Sequence, residues 1–472
     1  MFLPRAALFP LLSLLTFCGV SPAVSADWTE QDLATAAALR DRALKGTAAY
    51  EHVESLVTEV GPRFAGSPGD AAGVRWAMER LAKLGFSNVR SQDVLVPRWI
   101  RGSCEVILMG STPMPLTAVA LGGSVGTAEE GLEAQVVRVD SFEALQKLDA
   151  TAASNKIIFV DYKMQRSRDG SGYGNAVRSR VQGPSVAAKL GALALVIRSV
   201  GTSDDRIAHT GTLIYAIDAP RIPAFAISHP DADVLARQLQ NSKSVRLRLK
   251  STSRELPATW SANVIGEIRG TDRSQEIVLL GAHLDSWDVG QGAVDDGAGV
   301  AIVIEAARLI SKIERKPSRT IRVVLFANEE FGLSGAREYA KQLGDEAARH
   351  VIAMEADTGV GPVWQIESQV AAESVPAIAG IHQVLQPLEV ELGGNEAKGG
   401  ADIGQLRALG VPVLDLALDA TLYFDVHHTN NDTLLKVDPK MLDQSVAAYA
   451  TAAYLAAMKQ GDFGRLQTPA GE

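Results

Sequence analysis

Residues 276–299, EIVLLGAHLDSWDVGQGAVDDGAG, decide the fold that the sequence predicts. The segment opens with the apolar run Ile277–Leu280, which is typical of a buried strand. A histidine, four aspartates and five glycines follow by residue 299, and an apolar helical pattern occupies residues 297–313. A buried strand that passes through a glycine-rich loop into a helix predicts one β-α unit of a layered α/β fold.

The same pattern recurs downstream. Strand-like runs occur at TIRVVLFANEE (320–330), VIAMEADT (351–358) and VPVLDLAL (411–418), with helical patterns at 334–350 and about 439–459. Alternating units of this kind predict an α/β fold with a doubly wound, mainly parallel sheet and helices on both faces.

Changes of pattern divide the chain into four parts. Residues 1–26 combine one early positive charge, an apolar run and a small-residue end, which predicts a secretory signal peptide and hence export to the periplasm or the medium. Residues 27–99, mostly helical through residue 98, begin the catalytic domain. Short β-like runs around a helical segment predict a smaller inserted α/β domain at 100–255, and residues 256–472 complete the catalytic domain.

Composition excludes several classes of partner and site. The formal net charge is -9 and there is no basic run, which argues against a nucleic-acid partner. No apolar stretch after the signal is long enough to span a bilayer, so we expect no membrane association once the signal is removed. Cys18 leaves with the signal, and Cys104 is then alone and expected to be a buried, inert thiol. Any metal must therefore be held by His, Asp and Glu.

Charged side chains gather at the ends of the predicted strands, where open α/β sheets bind their ligands. These side chains are His283, Asp285, Asp295, Asp296, Glu329, Glu330, Asp357, His427 and His428. So many carboxylates would repel one another unless a multivalent cation lay between them. The donor set favours Zn²⁺, with Co²⁺ or Mn²⁺ as substitutes, and it exceeds what one zinc needs, which favours two ions.

The motifs VDDGAG, FANEEFG, MEADTG and HHTNNDT resemble the signature blocks of the aminopeptidase-type two-zinc exopeptidases. GPRFAGSPGD with LAKLGF is similar to the N-terminal block of that family, and the insert is similar to a protease-associated domain. The resemblance implies that Asp295 bridges two metals, and that His428 is a ligand because it stands four residues before Asp432-Thr433. It further implies the following roles: His283 and Asp357 complete one metal site, Glu330 and His428 complete the other, Glu329 is the general base, and Asp285 orients His283.

Several residues are assigned less firmly. His427 stands where some relatives have a tyrosine, so a role in stabilising the oxyanion is a hypothesis beside a purely structural one. Asp402 is a candidate substrate contact or a helix cap, and His209 is a candidate substrate contact or a surface residue. Asp288 and Asp296 are expected to be structural, Asp296 as a helix N-cap.

The sequence as a whole predicts an exported two-zinc exopeptidase of small peptides or dipeptides, in which a metal-bridging hydroxide attacks the peptide carbonyl. A broad-specificity aminopeptidase of the same family is the alternative, because no motif fixes which substrate terminus is recognised. A binding ectodomain without catalysis is a further alternative. Gly122–Gly126 fits the serine-hydrolase pattern G-x-S-x-G, but no helix or triad partner follows it. The insert is expected to shape the cleft or a homodimer interface, or to be a passive cover.

Overall fold

The computed structural model describes residues 27–242 and 244–467, so the predicted signal peptide lies outside the described residues. The strands of that part are β1 Ser87–Ile100, β2 Cys104–Met109, β3 Met114–Leu116, β4 Ala118–Ala120, β5 Leu132–Val139, β6 Ile157–Val160, β7 Ala194–Arg198, β8 Ala224–Ile227, β9 Arg246–Ser251, β10 Arg254–Ile268, β11 Arg273–His283, β12 Arg319–Phe326, β13 His350–Glu355, β14 Val363–Gln369, β15 Glu391–Leu392 and β16 Val413–Leu418.

The α-helices of the described residues are α1 Glu30–Ala43, α2 Ala49–Glu59, α3 Pro68–Leu84, α4 Phe142–Gln146, α5 Ala150–Ala153, α6 Gly172–Val181, α7 Gly183–Lys189, α8 His229–Asn241, α9 Ala298–Lys312, α10 Ser334–Leu343, α11 Val375–Leu385, α12 Gly404–Arg407 and α13 Pro439–Met458. None of them is long and apolar enough to cross a membrane.

The first sheet has the strand order β1-β10-β12-β11-β13-β16-β14-β15. Its four central strands, β12, β11, β13 and β16, run parallel to one another. Antiparallel strands extend it, with β10 and β1 on one side and β14 on the other. The centre of the sheet is therefore the parallel α/β unit that the sequence predicts.

Alternate residues of β11 enter two different hydrophobic cores. Val278 and Leu280 pack in the core that contains α9 and α13, while Ile277 and Leu279 pack in the core with Tyr339 of α10. Because successive side chains of a strand point to opposite faces, helices cover both faces of the sheet. This arrangement confirms the doubly wound α/β prediction and leaves the strand ends free to form a site.

A second sheet, of order β3-β2-β9-β5-β6-β7-β8-β4, lies between residues 104 and 251 of the chain. All its strands fall within the range predicted for the insert, although the domain boundaries themselves stay a prediction. The segment leaves the first sheet at Ile100 and returns at Arg254, and these two residues are partners in the antiparallel β1–β10 pair.

One stretch differs from the expected secondary structure. Residues 27–98 were expected to be mostly helical, but residues 87–100 form the 14-residue strand β1. Its burial alternates only weakly, because it lies at the edge of the sheet with one neighbour, β10. A partly exposed edge strand lacks the continuous apolar run that identifies a central strand.

Candidate metal centre

Three neighbouring parallel strands place charged side chains at one edge of the first sheet. β11 ends at His283, and β12 on one side and β13 on the other are in register with it. The segments that follow β12 and β13 carry Glu329-Glu330 and Asp357. His428 comes from the loop after β16 and has a left-handed φ of 61°.

One group of ligand atoms surrounds His283. Its Nε2 lies 3.2 Å from Asp295 Oδ1 and 3.5 Å from Asp357 Oδ1. The ring is 1% exposed and is therefore shielded from bulk solvent. The set of one imidazole and two carboxylates is suited to a divalent metal.

A second group surrounds His428. Its Nε2 lies 2.8 Å from Glu330 Oε2 and 3.4 Å from Asp295 Oδ2. Asp295 thus offers one oxygen to each group and lies between them. All five residues predicted as metal ligands are therefore brought together.

Two buried oxygen atoms show that this centre fits a cation. Asp295 Oδ2 and Glu330 Oε1 are buried without any hydrogen-bond partner. Ligand atoms of His283, Asp295 and Glu330 lie within 4.8 Å of one another. Buried carboxylate oxygens without a donor are costly, and a metal ion coordinated by them would remove that cost.

The electrostatics lead to the same conclusion. Burial raises the pKa of Glu330 well above its usual range, and the Asp295 carboxylate raises that pKa further. Burial likewise raises the pKa of Glu329 well above the usual range and raises the pKa of Asp357. For His283, burial lowers the pKa, but the carboxylates, Asp357 first, outweigh it and raise that pKa well above 6.5. The centre lacks positive charge, and a divalent cation would favour the ionised carboxylates.

Asp285 connects the first group to the predicted base. Its main-chain oxygen lies 3.1 Å from His283 Nδ1, while its carboxylate Oδ1 is 3.6 Å from that nitrogen. The carboxylate instead accepts the main-chain N–H groups of Glu329, at 2.9 Å, and of Glu330, at 3.3 Å. Asp285 therefore holds His283 mainly through its carbonyl, and its carboxylate fixes the loop that carries Glu329.

His427 lies against its neighbour His428. The two rings stack with centroids 3.5 Å apart, and His427 Nε2 is 3.7 Å from Asp295 Oδ2. His427, His428 and Asp295 also form a group with metal-ligand spacing. Only His428 of the two histidines adds the short contact to Glu330, which favours it as the ligand.

Three further acidic residues lie at or near the centre, and Asp296 shares metal-ligand spacing with His283 and Asp357. The N-cap position of α9 is Gly297 and not Asp296 as predicted, but the Asp296 carboxylate accepts the N–H groups of Gly299 and His283, each at 3.0 Å, and so has a structural role. Asp288 forms an ion pair with Arg101, also as a scaffold residue would. Asp402 is fully buried, and neither of its carboxylate oxygens has a hydrogen-bond partner. The helix-cap alternative for Asp402 is therefore wrong.

His209 differs from its expected surface placement. It is 1% exposed, and its Nδ1 lies 2.7 Å from the main-chain oxygen of His427. Burial lowers the pKa of His209 to about 3, so the imidazole is neutral. The surface alternative is wrong because the insert folds onto the ligand loops, a long-range contact that leaves no local pattern.

Four residues near the centre were not found from the sequence. They are Arg63, Arg180, Tyr423 and Asp432, and only the position of Asp432 in the motif HHTNNDT gave any signal. The Asp432 carboxylate accepts the N–H groups of Ala293, Val294 and Asp295 and so holds the loop of the shared ligand. Burial raises the pKa of Tyr423 well above 10, and the nearby Asp295 carboxylate raises that pKa further.

The serine motif has no catalytic surroundings. Ser124 Oγ donates to Val125 O and accepts the N–H of Ala224, and no helix follows it directly. Cys104 is a free cysteine that is half-buried and not fully buried as predicted, and burial raises its pKa to about 12, as expected of an inert thiol.

The chain is similar to known proteins in sequence and in structure. The profile of Peptidase family M28 matches residues 263–453. Carboxypeptidase Q of Rattus norvegicus is 34% identical over 408 residues, 86% of this chain and 85% of that protein. A peptidase M28 precursor from Shewanella amazonensis SB2B is 46% identical over 93% of this chain and 99% of its own, with a TM-score of 0.91. The zinc aminopeptidase BSAP of Bacillus subtilis shares the fold at 21% identity, with a TM-score of 0.63 over 89% of this chain and 97% of that chain.

Proposed function

The chain belongs to peptidase family M28, and from this premise we propose that it is an exported two-zinc exopeptidase that cleaves small peptides. Membership of the family confirms the resemblance seen in the sequence motifs. It makes the protein a metallopeptidase of the exopeptidase type. The two ions, the substrate and the export belong to the proposal.

The observation that carries the proposal is the shared position of Asp295. Its two oxygens lie between His283 with Asp357 on one side and His428 with Glu330 on the other. We assign His283 and Asp357 to one zinc, Glu330 and His428 to the other, and Asp295 to both. When bound, the ions would polarise the peptide carbonyl and make the attacking water more acidic.

Glu329 is the residue that we assign to proton transfer. It is adjacent to the ligand Glu330, and its main chain is fixed by the Asp285 carboxylate. Its raised pKa, caused first by burial, suits a group that takes a proton from water and returns it to the leaving amine.

A buried cation favours substrates with a free carboxylate. Arg180, from α6 of the insert, is 5% exposed, and its Nη1 lies 3.4 Å from His428 Nδ1. Its Nη2 donates to the Tyr173 hydroxyl, its Nε has no hydrogen-bond partner, and no carboxylate of the described residues forms an ion pair with it. A guanidinium in this state is suited to a carboxylate ligand, which favours a carboxypeptidase or dipeptidase.

The aminopeptidase alternative rests on Asp402. Its two buried oxygens lack donors, and the charges that raise its pKa after burial include those of Glu355 and Glu329. An unpartnered carboxylate near the base would suit the ammonium of a free N-terminus.

Glu329→Gln tests the reaction. We expect the variant to bind zinc like the wild type and to lose about 10²–10⁴-fold in kcat, which is what general acid–base catalysis typically supplies. Glu338→Gln is the matched control and should keep full activity, because Glu338 is half-buried on α10 and pairs with Lys341 of the same helix. Unchanged kcat in Glu329→Gln removes that residue from the mechanism, and zinc-free wild-type protein revives the binding-ectodomain alternative.

A peptide panel tests the choice of terminus. Free, N-acetylated and C-amidated di- and tripeptides are digested and the products are measured by mass spectrometry. Loss of cleavage on amidation alone indicates a carboxypeptidase, and loss on acetylation alone indicates an aminopeptidase. Loss on both, with tripeptides resistant, indicates a dipeptidase.

His427→Ala tests the oxyanion hypothesis. If the imidazole donates to the developing oxyanion, kcat falls by about 10²-fold or more while zinc content stays constant. A kcat near that of the wild type leaves His427 as a packing residue beside His428.

A further inference from the structure

The insert reaches the metal centre through residues His209–Thr212, a segment that we call the strap. The strap lies between β7 and β8 and belongs to no regular strand or helix. His209 and Thr210 are 1% and 0% exposed, although they lie in a loop. Burial of an irregular segment requires hydrogen-bond partners for its polar groups.

Those partners are the loops that carry two proposed zinc ligands and the neighbouring His427. Three hydrogen bonds run from the strap to main-chain oxygens: His209 Nδ1 to His427 at 2.7 Å, Thr210 N to His428 at 3.0 Å, and Thr212 Oγ1 to Glu330 at 2.6 Å. The strap thus ties the loop after β12 to the loop after β16.

The strap also faces the back of the His428 ring. The Thr210 carbonyl lies 3.4 Å from His428 Nδ1, while Nε2 of the same ring faces Glu330 and Asp295. A histidine that binds metal through Nε2 carries its proton on Nδ1 and needs an acceptor there. The Thr210 carbonyl can serve as that acceptor, whereas Arg180 Nη1, also 3.4 Å from Nδ1, is a donor and cannot.

The geometry of the strap is fixed from inside the insert. Gly122 donates its N–H to the Gly211 carbonyl at 2.9 Å, and Arg101 Nη1 donates to Thr210 Oγ1 at 2.8 Å. Gly211 has a φ of 129°, and a Cβ there would lie 2.3 Å from the Arg180 guanidinium, so glycine is required. The strap is therefore a built element rather than a loop that happens to touch the centre.

We propose that the strap positions Glu330 and His428 for metal binding, so that the insert is part of the metal centre and not a passive cover. Among the described residues, none of the strap's hydrogen bonds reaches His283 or Asp357. The strap therefore acts on one zinc position selectively. The inference rests on the proposed two-zinc centre.

The test measures metal binding instead of turnover. Full-length protein is freed of metal and titrated with Co²⁺, with the visible absorption of bound cobalt and equilibrium dialysis as readouts. Thr212→Val keeps the shape of the side chain but removes the hydroxyl that binds Glu330, and Thr212→Ser restores it. Thr127→Val is the matched control, because Thr127 Oγ1 donates to the carbonyls of Ala128 and Ser251, within the insert.

We expect the wild type to bind two ions. In Thr212→Val one ion binds with wild-type affinity, while the other binds about tenfold more weakly, at the lower end of the loss caused by removing an outer partner of a ligand. Thr212→Ser and Thr127→Val should match the wild type. Unchanged affinity for both ions in Thr212→Val overturns the proposal, and so does equal weakening of both.

A second pair of variants tests the same proposal if Thr212→Val does not fold. His209→Leu removes the bond to the His427 carbonyl, and His209→Asn keeps an N–H donor near the Nδ1 position. Selective weakening of one ion in His209→Leu, with recovery in His209→Asn, supports the strap, and two wild-type affinities in both variants overturn it. Wild-type protein that takes up fewer than two ions instead overturns the proposed two-zinc centre.

Discussion

Replacement of Arg63 by methionine should strongly destabilise the loop between His283 and Asp295. Arg63 is 0% exposed, and its guanidinium donates to the carbonyls of Leu284, Gly61, Gln291 and Gly292. The side chain thus spans both ends of the loop that joins β11 to the shared ligand.

The magnitude follows from those four bonds. Methionine fills a similar volume but leaves four carbonyls without their donor, and each lost bond of this kind contributes about 1 kcal/mol or more. The Arg63 guanidinium is a buried charge without an ion pair among the described residues, and burial lowers its pKa, so keeping it charged is unfavourable. Removing that charge in Arg63→Met offsets part of the loss. We therefore expect the free energy of unfolding to fall by about 3–4 kcal/mol, a large part of the roughly 5–15 kcal/mol of a typical protein. Arg63→Lys keeps the charge and fewer of the bonds, so we expect about half that effect.

Urea unfolding of the two variants and the wild type, all freed of metal, measures the change. Zinc content at equal protein concentration then shows whether Asp295 and its loop still bind metal. A loss below about 1 kcal/mol in Arg63→Met, or a larger loss in Arg63→Lys than in Arg63→Met, would refute this account of the four bonds.

Two further predictions concern other parts of the chain. Burial opposes ionisation of Glu305, but the hydrogen bonds it accepts, first from Arg308, lower its pKa to about 2. A carboxyl group with a lowered pKa stabilises the fold fully above about pH 4.5, and this stabilisation is lost as the pH falls toward 2. Glu305→Gln should therefore lower the free energy of unfolding by about 3 kcal/mol at pH 7 and by about 2 kcal/mol at pH 3.5. Urea midpoints that differ from the wild type by the same amount at both pH values would contradict this. Gly122→Ala would place a Cβ 2.1 Å from the Trp287 ring, which packs against the His428 ring, and should lower the melting temperature by an amount equivalent to about 1–3 kcal/mol. Gly110→Ala, with its nearest atom at 3.9 Å, is the control and should melt like the wild type, and equal melting of both variants would contradict the prediction.

The centre of the fold and the gathering of charged side chains were predictable because local pattern carries them, whereas the choice of the five ligands among those side chains came from the family resemblance. Ile277–Leu280 are continuous apolar residues of a strand buried on both faces, and His283 follows where such a strand must end. Residues at the carboxyl ends of neighbouring parallel strands converge regardless of the details of packing. The gathering of Glu330 and Asp357 near His283 therefore followed from the predicted parallel arrangement of their strands.

The features that the sequence analysis missed depend on contacts between distant parts of the chain. β1 is an edge strand whose partner β10 lies more than 150 residues away, so its local pattern indicated no sheet. Arg63 stands in a glycine- and proline-rich loop. Its four acceptors are main-chain carbonyls, and these cannot be recognised from the amino-acid types in the sequence. His209 was expected at the surface for the same reason, since its acceptor is the carbonyl of His427.

The way the insert is attached has a consequence for engineering the protein. Its two ends, Ile100 and Arg254, face each other across one antiparallel pair, so a tight turn could join them and leave the first sheet intact. Truncation would therefore look harmless when judged by the sheet alone. The His428 and Glu330 loops would nevertheless lose the hydrogen bonds that reach them from the other side of the cut. A shortened catalytic version of this chain therefore needs an added segment that restores the hydrogen bonds to these two loops, since a short linker cannot supply them.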